Sequence, residues 1–300
     1  MIRVGVDWGS TSLRAYQFDE QGDLIAELSS SNGIRNVNPS APEQYENILF
    51  SLIDEWLNDG DVVLLSGMIT SRAGWVETPY LACPVDVSTI IHHAKSVRAR
   101  QVELRFLPGI MQENPTPDVM RGEELQLLGA SSSQGISTVV LPGTHSKWAT
   151  MNGSILSHFR TIVTGELFEI LCKHSLVGAA FTSESFLQNS FLDGVILGHT
   201  TTTLVADIFT LRSAVLLEKA DSDAQHSFLS GLLIGNEIRE GYQLMGQSDD
   251  VVLIGSDNLC QLYHLAFTHI GIESRVHTQV AAISGFQTVI QGYATQGVTT

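Results

Sequence analysis

"RVGVDWGSTSLRAYQFDEQGDLIAE", residues 3–27, decides how this chain is read. An apolar stretch runs into Asp7. Gly9, Ser10 and Thr11 follow, then a second alternating stretch and a polar turn containing Gly22. Residues 2–7, 12–18 and 24–28 alternate or run apolar at strand length. The Asp19–Asp23 turn makes the second and third strands antiparallel neighbours. A Gly-Ser-Thr turn alone is most often only a hairpin turn, and an acid before it can be only a cap. What the rest of the chain does with this pattern settles its meaning.

The pattern returns. "STVVLPGTHSKWATMNGSILSHFRTIVTGELFEIL" reads as strand, Gly-Thr-His-Ser turn, strand, Asn152-Gly153 hairpin turn, strand and helix. Asn-Gly between alternating runs is a strong hairpin signal. Gly9 and Gly143 hold equivalent places, 143 − 9 = 134 residues apart. The repeat is one of architecture, since few residues are shared, and it implies two similarly built halves.

Between and beyond the repeats, residues 43–57 have helical spacing with Pro42 near the first turn. "DVVLLSG" (61–67) is a buried strand. Residues 68–84 are irregular and rich in polar groups. "LRFLPGI" is a strand, residues 122–130 a helix and "SSSQG" (131–135) a linker. Residues 184–217 are helix-rich, and "FLSGLLIGNEIREGYQL" is an apolar helix with two small-residue notches. "DVVLIGSDNL" is a strand, a Gly255-Ser256 turn and a helix. "RVHTQ" and "AAISGFQTVIQG" close the chain as strand and helix.

Composition narrows the partners. Three hundred residues with 43% apolar content suffice for one large or two medium cores. A net charge of −16 leaves no basic stripe for nucleic acid, although a few local cations can still hold a phosphate. The three cysteines form no CxxC pair, so neither a zinc site nor a disulfide framework is expected. With no signal-peptide pattern and no membrane-length apolar run, the expectation is a cytoplasmic protein without a membrane partner.

A small turn after a strand presents amides and hydroxyls to an anion. Two such turns can clamp a polyphosphate. Asp7 would hold a divalent metal, with Mg²⁺ keeping much of its water. Lys147 lies just past the second turn and suits phosphate as a point charge. The Gly255-Ser256 turn precedes a helix whose N-terminus can take a further polar group. The chain has no GxxxxGK[ST], no GxGxxG after a strand, no HExxH and no GxSxG.

On these residues the chain resembles the sugar kinase/heat-shock protein 70/actin superfamily. "VGVDWGSTSLRAY" and "VVLPGTHSKWATMNG" are similar to its two phosphate motifs, and "VVLIGSDNL" to its adenosine motif. "SGMITSRAGWVETPYL", "VMRGEELQLLGA", "LPGTHSKW", "FRTIVTGEL" and "FLSGLLIGNE" resemble signature segments of the 2-dehydro-3-deoxygalactonokinase family. The resemblance implies two ribonuclease-H-like (actin-like ATPase) α/β domains, 1–132 and 133–300. Each would have a mixed five-stranded sheet flanked by helices, with a nucleotide cleft between them. It implies ATP and Mg²⁺ as cofactors and a sugar acid as substrate, phosphorylated on its 6-hydroxyl. A homodimer is compatible with it.

The resemblance also distributes roles. Many relatives in the superfamily use an Asp base, whereas here the comparable place carries Arg121-Gly-Glu-Glu, so Glu123 is expected as the base with Glu124 as rival. Gly9, Ser10 and Thr11 would bind the β/γ-phosphates, faced by Gly143 and Thr144, with His145 and Lys147 beside them. Gly165 and Glu166 would complete the floor, and Gly255 and Ser256 would lie against adenosine. Arg72, Arg121 and Arg160 are candidates for the substrate carboxylate, because a guanidinium grips a carboxylate through two parallel bonds. Ser71 and Trp75 share the loop of Arg72. A polyphosphate or nucleotide hydrolase, an actin-like ATPase and a kinase of a related keto-deoxy sugar acid are the alternatives on this fold.

Overall fold

The first strand, β1 (Ile2–Trp8), alternates by side: Val4, Val6 and Trp8 join one core cluster, while Gly5 turns to the opposite face. This alternation is the ordinary period of a strand, and it fixes where Asp7 points. The computed structural model describes residues 1–38, 41, 43–130, 136–246, 251–277 and 281–296. Pro42, the linker 131–135 with the expected 132/133 boundary, and residues 278–279 of the last expected strand lie outside them. The chain forms two compact units. The first is Met1–Gly135, Met151–His158 and Thr278–Thr300; the second is Ile136–Thr150 and Phe159–His277.

In the first unit, β2 (Leu13–Phe18) and β3 (Leu24–Ser30) continue β1 as an antiparallel meander. Asp19 closes the turn between them by accepting from the Gln21 and Asp23 amides at 2.9 and 2.8 Å. Helix α1 (Glu43–Ile53) buries Tyr45, Leu49, Phe50 and Ile53 on the Val4–Val6–Trp8 face. Then come β4 (Val62–Ser66), β5 (Tyr80–Ala82), α2 (Val87–His92), β6 (Lys95–Ala99), β7 (Val102–Phe106), β8 (Gly109–Gln112), β9 (Asp118–Met120) and α3 (Glu123–Ala130). The main sheet has the order β3-β2-β1-β4-β7-β6, with β1, β4 and β7 parallel. Strands β5, β8 and β9 form a separate small sheet.

The main sheet therefore has six strands where five were expected. The extra one is β6, an exposed edge strand with three basic or polar side chains, "KSVRA". Charges suit an edge because they discourage further pairing, and they also hide the strand from a hydrophobic pattern. On the other face lie α3 and the C-terminal helix, Ala281–Gln296. Gly129 and Gly285 let their backbones touch, and Phe286 fills the space over Gly5 against Tyr16 and Phe18.

The second unit holds β10 (Ile136–Leu141), β11 (Ser146–Asn152) up to Thr150 and β12 (Ile155–Ile162) from Phe159, then α4 (Thr164–His174), α5 (Gln188–Thr200), α6 (Leu204–Leu216), α7 (Gln225–Met245), β13 (Val251–Leu253), α8 (Asp257–His269) and β14 (Arg275–Val276). Its sheet runs β12-β11-β10-β13-β14, with β10, β13 and β14 parallel. This is the first sheet's order without the added edge strand, so the repeat read from sequence is a repeat of topology. The two notches of α7 are Gly231 and Gly235, which receive the backbone of α5 at Phe191 and Val195.

Candidate functional site

Each unit carries one glycine turn at the end of its first strand. In the first unit, the Gly9 amide donates to Ser12 O at 2.9 Å. The Gly9 and Ser10 carbonyls accept from the Ile34 and Arg35 amides, both at 3.1 Å, which pins the turn from below. The Ser10 and Thr11 amides donate to nothing among the described residues. Two such amides in one tight turn form a cradle for an anion.

Asp7 sits two residues before this turn. It lies in register with Arg14 on β2 and Ser66 on β4. Burial raises its carboxyl to about 6; the Arg14 charge opposes this and the Glu123 charge adds to it. Arg14 is a site residue that the sequence reading missed. Its signal was present, because it mirrors Asp7 across the hairpin turn and so shares its face.

Glu123 and Glu124 reach this place because the backbone there is stripped of side chains. Gly67, at φ 90°, would put a Cβ 2.9 Å from Trp8 O and 3.1 Å from Asp7 Oδ1. Gly122, at φ 111°, would put one 3.3 Å from Gly67 Cα. Only glycine fits these conformations and contacts. The two acids then diverge. Glu124 is buried, its Oε2 accepting from the Gly122 amide at 2.6 Å and its Oε1 from Ser66 Oγ at 3.4 Å. Burial and then the Glu123 charge push it up to about 8, so it holds its proton at neutral pH. Glu123 is half-buried and accepts from the Arg121 amide at 3.1 Å through Oε2.

The three arginine candidates separate just as clearly. Arg121 is buried, and its Nη1 donates to Thr70 O, Thr70 Oγ1 and Thr78 Oγ1 at 2.7, 2.6 and 2.6 Å. Its Nη2 donates to Thr78 O at 3.1 Å, and its guanidinium lies 4.3 Å from the Tyr80 ring centroid. It ties the 68–80 segment together. Arg72 is exposed and makes no hydrogen bond or ion pair with any described residue. Arg160 is half-buried on β12 in the second unit. Ser71 is buried and donates to Met68 O at 2.7 Å. Trp75 stacks on Tyr45 at 6.1 Å and meets Phe106 edge-on at 5.6 Å, anchoring the loop that carries Arg72 to the core.

In the second unit the Gly143 amide donates to Ser146 Oγ at 3.3 Å. Gly165 presses on this turn, since a Cβ there would collide with Gly143 O and lie 2.8 Å from Thr144 Cα. Thr144 O accepts the Glu166 amide at 2.9 Å, and His145 Nε2 donates to Glu166 Oε2 at 2.8 Å. Lys147 is buried, with Nζ 3.4 Å from His145 O. Gly143, Thr164 and Gly165 help to line a cavity of about 290 Å³. Its other walls are mostly apolar: Phe168, Phe186, His226, Leu233, Ile234, Leu259, Leu262 and Tyr263. Gly255 and Ser256 do not line it; α8, which they introduce, supplies Leu259, Leu262 and Tyr263. The aromatic and α8 liners were not foreseen, because an apolar helix face looks the same in sequence whether it meets a ligand or a core.

No cluster of three or more His, Cys, Asp or Glu side chains able to hold a metal occurs among the described residues, and none of their helices is long and apolar enough to cross a membrane.

Comparison with known proteins gives one consistent result. The profile of the 2-keto-3-deoxy-galactonokinase family matches residues 7–289. The 2-dehydro-3-deoxygalactonokinase of Escherichia coli K12 is 32% identical over 97% of each chain. A crystal structure of a Sinorhizobium meliloti protein described as a 2-dehydro-3-deoxygalactonokinase superposes with a TM-score of 0.86 at 30% identity, covering 98% of this chain and 99% of that one. A ligand-bound xylulose kinase from Lactobacillus acidophilus shares the fold, with a TM-score of 0.50 at 10% identity, covering 97% of this chain and 89% of that one. The two units thus have the actin-like ATPase fold.

Proposed function

The chain belongs to the 2-keto-3-deoxy-galactonokinase family and is an ATP-using kinase, and we propose that it phosphorylates the 6-hydroxyl of 2-dehydro-3-deoxy-D-galactonate. The observation that carries this reading is the division of labour between units. The first has acids beside an anion-binding turn, and the second has a glycine turn opening into an apolar cavity. We read 1–132 and 133–300 as the two repeats, and the cytoplasm, where ATP is supplied, as its compartment.

Phosphoryl transfer asks mainly for positioning and charge neutralisation. Glu123 is the acid suited to take the proton of the substrate hydroxyl, because Glu124 already holds one at neutral pH and its oxygens serve Gly122 and Ser66. Glu124 then shapes the turn that presents Glu123. Ser10 and Thr11 receive phosphate oxygens on their amides, with Gly9 holding the turn, and Thr144 does so in the second unit beside Gly143. Purine and ribose enter the cavity, where flat apolar walls favour a flat base. Arg72, with its donors uncommitted, receives the substrate carboxylate, while Arg121 braces the loop that carries it.

Magnesium fits the first unit. Its donors are hard carboxylate oxygens, and Asp7 is held up near 6 with only Arg14 to offset its burial and the nearby Glu123 charge. A cation bound there relieves that repulsion, and Mg²⁺ needs only one or two carboxylates besides phosphate and water. Asp7 would hold it, and the ion would neutralise charge on the phosphates.

The test is a coupled ADP-release assay with Mg-ATP, run with the galactonate derivative, its gluconate epimer and no sugar. Turnover with the galactonate derivative alone is expected. Equal turnover on both epimers would widen the substrate to related keto-deoxy sugar acids. ADP release that ignores sugar would favour a hydrolase.

A further inference from the structure

Glu237 is the most enclosed acid among the described residues of the second unit, and nothing above uses it. It lies on α7 with 0% exposure. Its Oε1 accepts from Trp148 Nε1 at 2.9 Å, and its Oε2 from Tyr263 OH at 2.6 Å. The hydroxyls of Thr164 and Ser146 lie beside it and favour its charged form. A carboxyl with no solvent must find its partners inside the protein or lose several kcal/mol. This one has two donors, from β11 and α8, and two further hydroxyls beside it, from β11 and α4.

These groups are not scattered. Each lies one step from the second glycine turn or the cavity. Ser146 Oγ accepts the Gly143 amide at 3.3 Å and lies 3.3 Å from Tyr263 OH. Thr164 precedes Gly165, the residue pressed against Gly143 and Thr144. Thr164, Gly143 and Tyr263 all line the cavity. Trp148 fixes the strand that leaves the turn and packs beside Tyr242 and Phe267. The acid thus sits where the turn, the start of α4 and the cavity wall converge. A core that needed only stability would fill this space with apolar side chains, which serve at least as well as buried polar groups.

We propose that Glu237 is a positioning residue for nucleotide binding: through Ser146, Thr164 and Tyr263 it sets the second glycine turn and the cavity wall in the geometry that receives the nucleotide. The proposal rests on reading that cavity as the nucleotide site. Desolvation raises the carboxyl of Glu237 above the ordinary range, and glutamine keeps its shape and one carbonyl acceptor. Leucine keeps the volume and removes every acceptor.

The experiment uses the full chain and four variants: Glu237→Leu, Glu237→Gln, Tyr263→Phe and Val251→Ala. The last deletes buried methyls on β13, in the core cluster that holds Trp148 and Tyr263 but with no bond to Glu237, and serves as the stability control. ADP binding is measured by calorimetry, sugar-acid affinity separately, and thermal midpoints on the same samples. Glu237→Leu is expected to weaken ADP roughly 30-fold or more, and Tyr263→Phe roughly 10-fold. Glu237→Gln should recover most of the loss. Sugar-acid affinity should stay within about 2-fold throughout, and Val251→Ala should lower the midpoint while binding ADP normally. If Glu237→Leu fails to fold, Tyr263→Phe with intact ADP affinity overturns the proposal by itself. ADP affinity that follows the thermal midpoint equally in all variants, Val251→Ala included, makes Glu237 a core residue only and also overturns it. A wild-type chain that binds no ADP removes the site reading itself, a failure visible before any variant is made.

Discussion

The two glycine turns are built on one plan and supported by different means. Both follow the first strand of their sheet, and both close from the glycine amide onto the residue three places on. The first closes on the Ser12 backbone and is pinned by the amides of Ile34 and Arg35. The second closes on a side chain, Ser146 Oγ, which belongs to a network around a buried acid. Asp7 precedes the first turn, and the apolar Leu141 holds the equivalent place before the second. A duplicated architecture has kept its backbone and divided its chemistry. The half with acids at the strand end is suited to the reacting groups, and the half with a cavity behind the turn is suited to holding a nucleotide.

The largest effect that should separate the halves is on Glu123. Glu123→Gln is expected to lower kcat by ~10²–10⁴-fold while both KM values change little, the pattern of a lost general base. A steady-state analysis checks it, and an unchanged kcat would transfer the role to another group of the first unit.

The two arginines of that unit sharpen the comparison within one loop. Arg121→Met should cost about 3–5 kcal/mol of stability, because it strips a buried cation from Thr70 and Thr78. Arg72→Met should leave the thermal midpoint unmoved and raise the sugar-acid KM by roughly 10–100-fold. Chemical denaturation and kinetics on both variants would expose a reversal of the two roles.

Gly165→Ala tests the second turn. A Cβ there meets Gly143 O, so the turn must shift at a cost of about 1–3 kcal/mol. ATP KM should rise, and kcat at saturating ATP should fall less. Equal losses in both would mean that the second turn also shapes the reacting centre.

The smallest effect is a pH dependence from Glu124. Its folded carboxyl sits near 8 against an ordinary 4.5, so the folded chain holds a proton that the unfolded chain releases in that window. The stability tied to this proton is complete below about 4.5 and lost as the pH rises through 8. Glu124→Gln removes the titration. Its stability relative to wild type should climb across that window, by up to a few kcal/mol. A flat difference would mean that Glu124 is ionised in the folded protein.

The parts legible in the sequence are those built from short-range signals. The β1–β2–β3 meander and the β11–β12 hairpin follow from alternation and turn residues within a few positions. The glycines of α7 were visible as notches, and their partner helix α5 followed from helical composition. Edge strand β6 was hidden because its charges obey the needs of an edge. Arg121 looked like a ligand arginine because its partners, Thr70 and Thr78, lie more than 40 residues back. Lys147 looked like a phosphate cation, yet the strand alternation that turns Ser146 and Trp148 toward Glu237 sends Lys147 to the other face of β11. Glu237 sits inside an apolar helical run, where a single acid reads as a solvent-facing residue until its donors are known.

The central claim is that phosphate moves from ATP to a sugar acid, and ³¹P NMR of the reaction reads this directly. With Mg-ATP and 2-dehydro-3-deoxy-D-galactonate, ADP and one phosphomonoester coupled to a CH₂ group should grow in equal amounts. Inorganic phosphate growing in place of the ester would contradict the account.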